Sequence, residues 1–310
     1  MKNLRIILLL LVIALLFALT ACSKQEAVPK IGLCLQGSTT FQPLQLALEK
    51  AGYQVIKQDA KNDQSKQTRQ IEELLSEEID LLIVEPVQTA AAALTLEQAK
   101  TAGVPVIFLN REPPREVLDA WEKACYVGFD PAQPGLLQGQ LVLQTASKGD
   151  INGDGIVTCI IIGGPADHLD TRLHTEECCK ALTDLGVEVV RLDAGNGDWT
   201  QAGGKRVCEY ALSQYGKDVE VVFCSNNAMT LGAWTAIQES GRTVGKDIYL
   251  LGIGEDRTVL DMVQRGYLSG TVSADTQGLA AQVTATVHAL LDEFPVEKQC
   301  YIDYIRIARD

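Results

Sequence analysis

Short apolar runs alternate with longer helix-period segments along almost the whole chain, and this alternation constrains the possible folds most strongly. The strand candidates are 31–35, 53–58, 80–85, 104–109, 125–129, 157–162, 187–192, 219–224, 248–253 and 269–274. Between most of them lie helix-length stretches such as Thr68 to Leu75, Ala90 to Ala102, Gly135 to Thr145 and Thr276 to Leu291. Strand–helix alternation implies an α/β fold, with parallel sheets covered by helices on both faces. Strands buried on both sides read as continuous apolar runs, as these do. Ten strands are too many for one lobe of this size, and a break falls near Gly128-Phe129-Asp130, where a hinge is expected. Two Rossmann-like, doubly wound lobes would then face each other, with a ligand cleft beyond the carboxyl ends of their strands. The polar residues that follow strands are therefore the ones of interest: Gly37 to Phe41, Asn110 to Glu112, Gly163 to Asp170, Asn226 to Ala228, Gly254 to Asp256 and Asp275.

The 310 residues suffice for two lobes, and an apolar content of 46% allows a substantial core. A formal charge of −13 would repel a phosphate backbone, so no nucleic acid is expected as a partner. The first 22 residues read as a targeting segment: Lys2 and Arg5 precede an unbroken apolar run from Ile6 to Leu19. That run is short for a membrane span and suits a signal peptide. Leu19-Thr20-Ala21-Cys22 resembles a lipobox, the bacterial lipoprotein processing signal, which implies that Cys22 becomes a lipidated N-terminus. A plain signal peptide or signal anchor is the other reading. Residues 23–29 read as a polar tether. Eight cysteines remain besides Cys22. Cys34, Cys159 and Cys224 sit in apolar, strand-like runs, where free thiols act as small core hydrophobes, and Cys178-Cys179 reads as two faces of one helix.

Residues 150–158, "DINGDGIVT", place acidic or amide oxygens at every second position and then a glycine. Asp150, Asn152 and Asp154 take positions 1, 3 and 5 of a calcium-type loop. Gly155 supplies the sharp turn, Ile156 a backbone carbonyl and Thr158 a hydroxyl. Such a loop ordinarily ends on a glutamate, but position 12 here is Ile161 in a β-branched run that continues as a strand. A strand cannot wrap back to the ion, so the missing carboxylate must come from elsewhere. Glu220, at the start of the apolar run "VEVVFC", is the candidate. A solvent-facing, Asx-rich turn with no metal stays open as the alternative.

The stretches "KNDQSKQTRQIEELL" (61–75), "PVIFLNREP" (105–113), "YVGFDPAQPGLLQG" (126–139) and "VVFCSNNAM" (221–229) resemble the periplasmic galactose/glucose-binding proteins, the sugar receptors of ATP-binding-cassette (ABC) importers. The resemblance runs from Lys30 to about Asp275. It implies a type 1 periplasmic binding protein fold whose lobes are joined by three crossings. The lobes would be 30–129 with 275–293, and 130–274 with 294–310. It also implies a structural calcium ion completed by Glu220.

Sugars are met by planar polar side chains in fork-like pairs and by aromatic rings on their C–H faces. The aromatic candidates are Phe41 and Trp199. The resemblance matches Asn110, His168, Asp170 and Asn226 to sugar ligands, with Arg111 and Glu112 able to brace Asn110. Asn226 and Asp170 also precede helical stretches, where each would serve as a cap. Other positions depart from the family: Thr39 or Thr40, His174, Gly254 and Ala274 stand where an aspartate, an arginine, an aspartate and an asparagine are expected. Gly254 and Ala274 would leave space, with Glu255, Asp256 and Asp275 beside them. Losing two carboxylates that accept from hydroxyl pairs weakens the case for glucose or galactose itself. The expected partners are a small-molecule sugar and an ABC permease, the expected location is outside the cytoplasm on a lipid anchor, and a monomer is expected. A sensory receptor feeding a signalling partner is the alternative. No enzyme is expected, because "GIGED" (252–256) lacks the third glycine of a dinucleotide loop and no nucleophile–base arrangement stands out.

Overall fold

The computed structural model describes residues 27–37, 42–166, 169–254 and 256–309. The expectations for residues 1–22 with Cys22, for Thr39, Thr40 and Phe41, for His168, for the Asp170 side chain and for Glu255 fall outside what is described.

Twelve strands form two six-stranded sheets. The first contains β1 (Lys30–Leu35), β2 (Gln54–Asp59), β3 (Leu81–Val84), β4 (Val106–Leu109), β5 (Ala124–Phe129) and β11 (Gln299–Ile302), in the order β11-β5-β4-β3-β1-β2. The second contains β6 (Ile156–Ile162), β7 (Glu188–Arg191), β8 (Val221–Cys224), β9 (Tyr249–Ile253), β10 (Gly270–Ala274) and β12 (Tyr304–Ala308), in the order β12-β10-β9-β8-β6-β7. Every pairing is parallel except that of β12 with β10. The central strands are buried throughout, as for "LLIV" in β3 and "VVFC" in β8. Both faces are covered by helices, so neither face needs polar residues.

The helices of the first lobe are α1 (Gln42–Lys50), α2 (Gln64–Ser76), α3 (Ala92–Ala102) and α4 (Arg115–Asp119). Those of the second are α5 (Gln133–Leu143), α6 (Leu169–Thr183), α7 (Gln201–Tyr215), α8 (Asn227–Glu239) and α9 (Arg257–Gln264). The long α10 (Thr276–Leu291) returns to the first lobe, where Leu279, Val283 and Val287 join the core of Leu33, Leu44 and Ile83. No described helix is long and apolar enough to cross a membrane.

One expectation is overturned. Residues 294–310 do not all belong to the second lobe, because β11 pairs with β5, Gln299 opposite Tyr126 through Ile302 opposite Phe129. The chain crosses at Asp303, and only β12 enters the second sheet. The reason is the edge: without β11, β5 would leave a row of backbone groups unpaired. Gln133 fastens this crossing, its Nε2 donating to Asp303 Oδ1 at 2.7 Å, and the rings of Phe129 and Tyr304 pack at 4.9 Å.

The eight described cysteines are free, and six of them are buried. Burial pushes the Cys34 and Cys125 thiols up to about 12, as suits packing rather than reactivity. Cys178 and Cys179 do lie on one helix, the first buried and the second half-buried.

Candidate ligand-binding cleft and acidic loop

A cavity of about 540 Å³ opens between the carboxyl ends of the two sheets. Gln36, Asn110, Arg111 and Glu112 line it from the first lobe; His174, Trp199, Ser225 and Ile253 from the second; Phe129, Pro134 and Tyr304 sit at the crossings.

Asn110 follows β4 with φ at +60°, a left-handed conformation that asparagine tolerates better than most residues. Its brace is neither Arg111 nor Glu112, as was expected. Arg111 Nη1 donates to Val87 O at 2.9 Å, and Glu112 accepts from the Tyr301 hydroxyl and the Gln299 side chain. The brace is Glu85, just past β3, whose Oε1 accepts from Asn110 Nδ2 at 3.0 Å and whose Oε2 accepts from Gln36 N at 3.3 Å. Glu85 is buried, and desolvation raises its pKa above the ordinary carboxylate value. The 61–75 stretch explains how Glu85 is held. Gln67 of α2 donates to Glu85 O at 2.7 Å and accepts from Val87 N at 2.8 Å, while Gln64 accepts from Gln88 N at 2.9 Å. These glutamines tie α2 to the segment just past β3 that carries Glu85.

In the second lobe, Trp199 has φ at +59° and lines the cavity. Its indole lies on Gly164, where a Cβ would come within 2.0 Å of Trp199 Cε2. His174 is 3% exposed. Both its ring nitrogens are engaged, Nδ1 with Ser225 Oγ at 2.8 Å and Nε2 with Gln138 Oε1 at 2.5 Å. Burial lowers its pKa to about 4, so the ring is neutral at physiological pH. Asn226 is spent on structure: Oδ1 accepts from Met229 N at 2.8 Å, capping α8, and Nδ2 donates to Trp199 O at 3.1 Å. Asn226 is not among the described residues lining the cavity; its neighbour Ser225 is.

The space expected at Gly254 is filled. A Cβ there would stand 1.7 Å from Asn227 Oδ1, and the φ of +146° favours glycine. Asn227 Nδ2 in turn donates to Asp256 Oδ2 at 2.7 Å. Asp275 caps α10 by accepting from Gly278 N at 2.8 Å, so it does not replace a ligand at Ala274.

The acidic loop lies at the opposite, amino end of the second sheet. Asp150 accepts from Gly153 N and Gly155 N, Asn152 from Asp154 N, and Asp154 from Ile156 N. Glu220, fully buried, reaches the loop: Oε1 accepts from Ile151 N at 2.6 Å and Asn152 N at 2.9 Å, and Oε2 from Thr158 N at 2.9 Å. The loop is thus gathered around the carboxylate that sequence reasoning singled out. The side chains gathered here, Asp150, Asn152, Asp154, Thr158 and Glu220, offer oxygen donors, the chemistry that a hard cation takes. The acidic side chains turn onto backbone N–H groups, and among the described residues no three His, Cys, Asp or Glu side chains meet at one metal-holding point.

Residues 38–294 match the family model described as a periplasmic binding protein domain. The chain is 31% identical over 229 residues to the D-galactose/methyl-galactoside binding periplasmic protein of Haemophilus influenzae, covering 73% of this chain and 68% of that one. It is 27% identical over 307 residues to the ribose import binding protein of Bacillus subtilis, covering 91% and 92%. Among solved structures, a galactofuranose binding protein superposes with a TM-score of 0.72 at 20% identity, over 90% of this chain and 94% of that one. A Bacillus halodurans ABC transporter solute binding protein with bound myo-inositol superposes with a TM-score of 0.71 at 24% identity, over 92% and 96%.

Proposed function

The chain belongs to the type 1 periplasmic sugar-binding protein family, and on that premise we propose that it is the extracytoplasmic receptor of an ABC importer. It takes a sugar or sugar derivative between its lobes, closes on it about the three crossings, and presents the closed form to a membrane permease. The observation that carries this reading is the two-sided cleft: Asn110 from one lobe, and Ser225, His174 and Trp199 from the other, line one cavity. A ligand touching both lobes stabilises the closed form, which is the differential affinity that a closing receptor needs. Relatives described as import binding proteins favour transport over signalling.

The ligand is a polyhydroxylated molecule other than glucose or galactose. His174 is committed through both ring nitrogens to Gln138 and Ser225, and Gly254 has its space taken by Asn227. Calorimetry against D-galactose, D-glucose, D-ribose, D-allose, L-arabinose and myo-inositol tests this. At least one of the last four should bind at micromolar strength or better, and more tightly than the first two. Silence across the whole panel would end the receptor reading.

We propose further that the acidic loop holds a structural calcium ion through Asp150, Asn152, Asp154, the Ile156 carbonyl, Thr158 and Glu220. Support comes from the oxygen-only donor set and from a buried Glu220 turned to the loop. The ion would neutralise the loop carboxylates and hold the loop to β6 and β8. A chelator should lower the melting temperature, and added calcium should restore it in wild type but not in Asp150→Ala; melting unchanged by chelator would sink the idea. The anchor on Cys22 is a third proposal: membrane-extracted protein should carry an acylated Cys22, and Cys22→Ala should release it.

A further inference from the structure

The hydrogen bonds behind the second-lobe wall of the cleft run in one direction, and that direction can be worked out atom by atom. Gln138, on α5 and fully buried, approaches Cys224 O through Nε2 at 3.1 Å. A carbonyl only accepts, so the amide must present its N–H₂ there and its oxygen to His174. The reversed amide would set oxygen against oxygen. Gln138 Oε1 therefore accepts, and His174 Nε2, 2.5 Å away, carries the proton. In a neutral ring the other nitrogen is then bare. His174 Nδ1, 2.8 Å from Ser225 Oγ, accepts the serine hydroxyl hydrogen. Ser225 has one hydrogen to give and has given it inward. What its oxygen retains for the cavity that it lines is acceptor capacity alone.

We propose that Ser225 is a specificity-determining residue that accepts a hydrogen bond from a hydroxyl of the bound ligand, and that Gln138 and His174 are positioning residues that keep it an acceptor. This rests on the sugar-receptor reading. It selects a hydroxyl donor at that point of the ligand. An ether, carbonyl or phosphate oxygen there would meet lone pair with lone pair. Asn110 across the cleft is not restricted in this way: its Nδ2 gives one of two hydrogens to Glu85, so the amide can still both donate and accept.

The test is calorimetry with D-ribose, D-allose, L-arabinose and D-galactose, followed by each monodeoxy derivative of the sugar that binds most tightly. In wild type, loss of one particular hydroxyl should weaken binding about tenfold, as for one neutral hydrogen bond. Ser225→Ala should weaken the parent sugar by the same factor and bind that deoxy sugar no worse than wild type does. Equal weakening across parent and all deoxy sugars, or no weakening, overturns the inference while leaving the receptor reading standing. No sugar binding at all overturns both. A second measurement needs no variant: ¹⁵N NMR of the His174 ring in the free protein at about pH 6 to 8 should report a neutral Nε2–H tautomer. An Nδ1–H tautomer or an imidazolium overturns the relay. Gln138→Leu should release the tautomer and reduce the deoxy-sugar discrimination, an effect that a merely structural role would not produce.

Discussion

Glu85 and Glu220 are both buried glutamates at the ends of central strands, and they do opposite work. Glu85 follows β3 at its carboxyl end, and Glu220 precedes β8 at its amino end. Glu220 accepts three backbone N–H groups at 2.6 to 2.9 Å and closes the acidic loop onto the sheet. Among the described residues Glu85 accepts from Asn110 Nδ2 and Gln36 N, at 3.0 and 3.3 Å, and desolvation raises its pKa. One carboxylate is well satisfied and holds the fold. The other is held in a poorly compensated state and orients a group facing the ligand. In a parallel sheet the carboxyl ends carry function and the amino ends carry stability, and here the same residue type serves each.

The largest expected effect is on the Glu220 side. Glu220→Leu leaves three N–H groups without their acceptor and should cost about 3–5 kcal/mol in urea denaturation, with sugar affinity of the folded fraction nearly unchanged. A loss of affinity without a loss of stability would break the contrast.

Next comes His174 on the cleft side. Its folded pKa of about 4 lies below the ordinary 6.5, so the unfolded chain takes up the proton first. Its stability contribution is present above pH 6.5, falls as the pH drops toward about 4, and is then exhausted. The integrated loss is about 3 kcal/mol, read as the difference in acid sensitivity between wild type and His174→Gln.

Gly254→Ala should cost about 2 kcal/mol, because the new Cβ meets Asn227 in a conformation that non-glycine residues resist. Removing the obstruction together with it, in Gly254→Ala/Asn227→Ala, should recover part of that loss.

The smallest stability effect is at Glu85. Its raised pKa means that its contribution is full below the ordinary carboxylate value of 4.5 and declines as pH rises through the folded value. Glu85→Gln should remove that decline and change stability at neutral pH by less than about 1 kcal/mol, while weakening sugar binding about tenfold through Asn110. Lost stability with intact binding would make Glu85 a second Glu220.

The ten strands read from the sequence all appear: burial on both faces gives the central ones continuous apolar runs, while the edge strands β2 and β7 are partly exposed and show in the strand–helix alternation. Residues 299–308 were harder. Two strands separated only by Asp303 look like one, and nothing local says that the first half pairs with β5. The cleft was legible by position but not by role. Asn226 has the right type and place, yet its amide caps α8 and Ser225 beside it faces the cavity. Glu85 could have been found as a charge ending the run "DLLIVE", and Gln138 as one of two amides, with Gln140, within the apolar helix "GLLQGQLVL".

Residue order alone determined two doubly wound lobes, the cleft between their carboxyl ends, and the acidic loop with its distant glutamate. The lobes, the cleft and the loop follow from periodicity and spacing, which are local, and Glu220 stands out as a charge opening an apolar run. Tertiary structure decided which lobe takes β11, which of two adjacent side chains faces the ligand, and which way the hydrogen bonds behind Ser225 run. Those depend on partners from separate elements: Gln138, His174 and Cys224 acquire a direction only when α5, α6 and β8 are packed together without water to satisfy them otherwise.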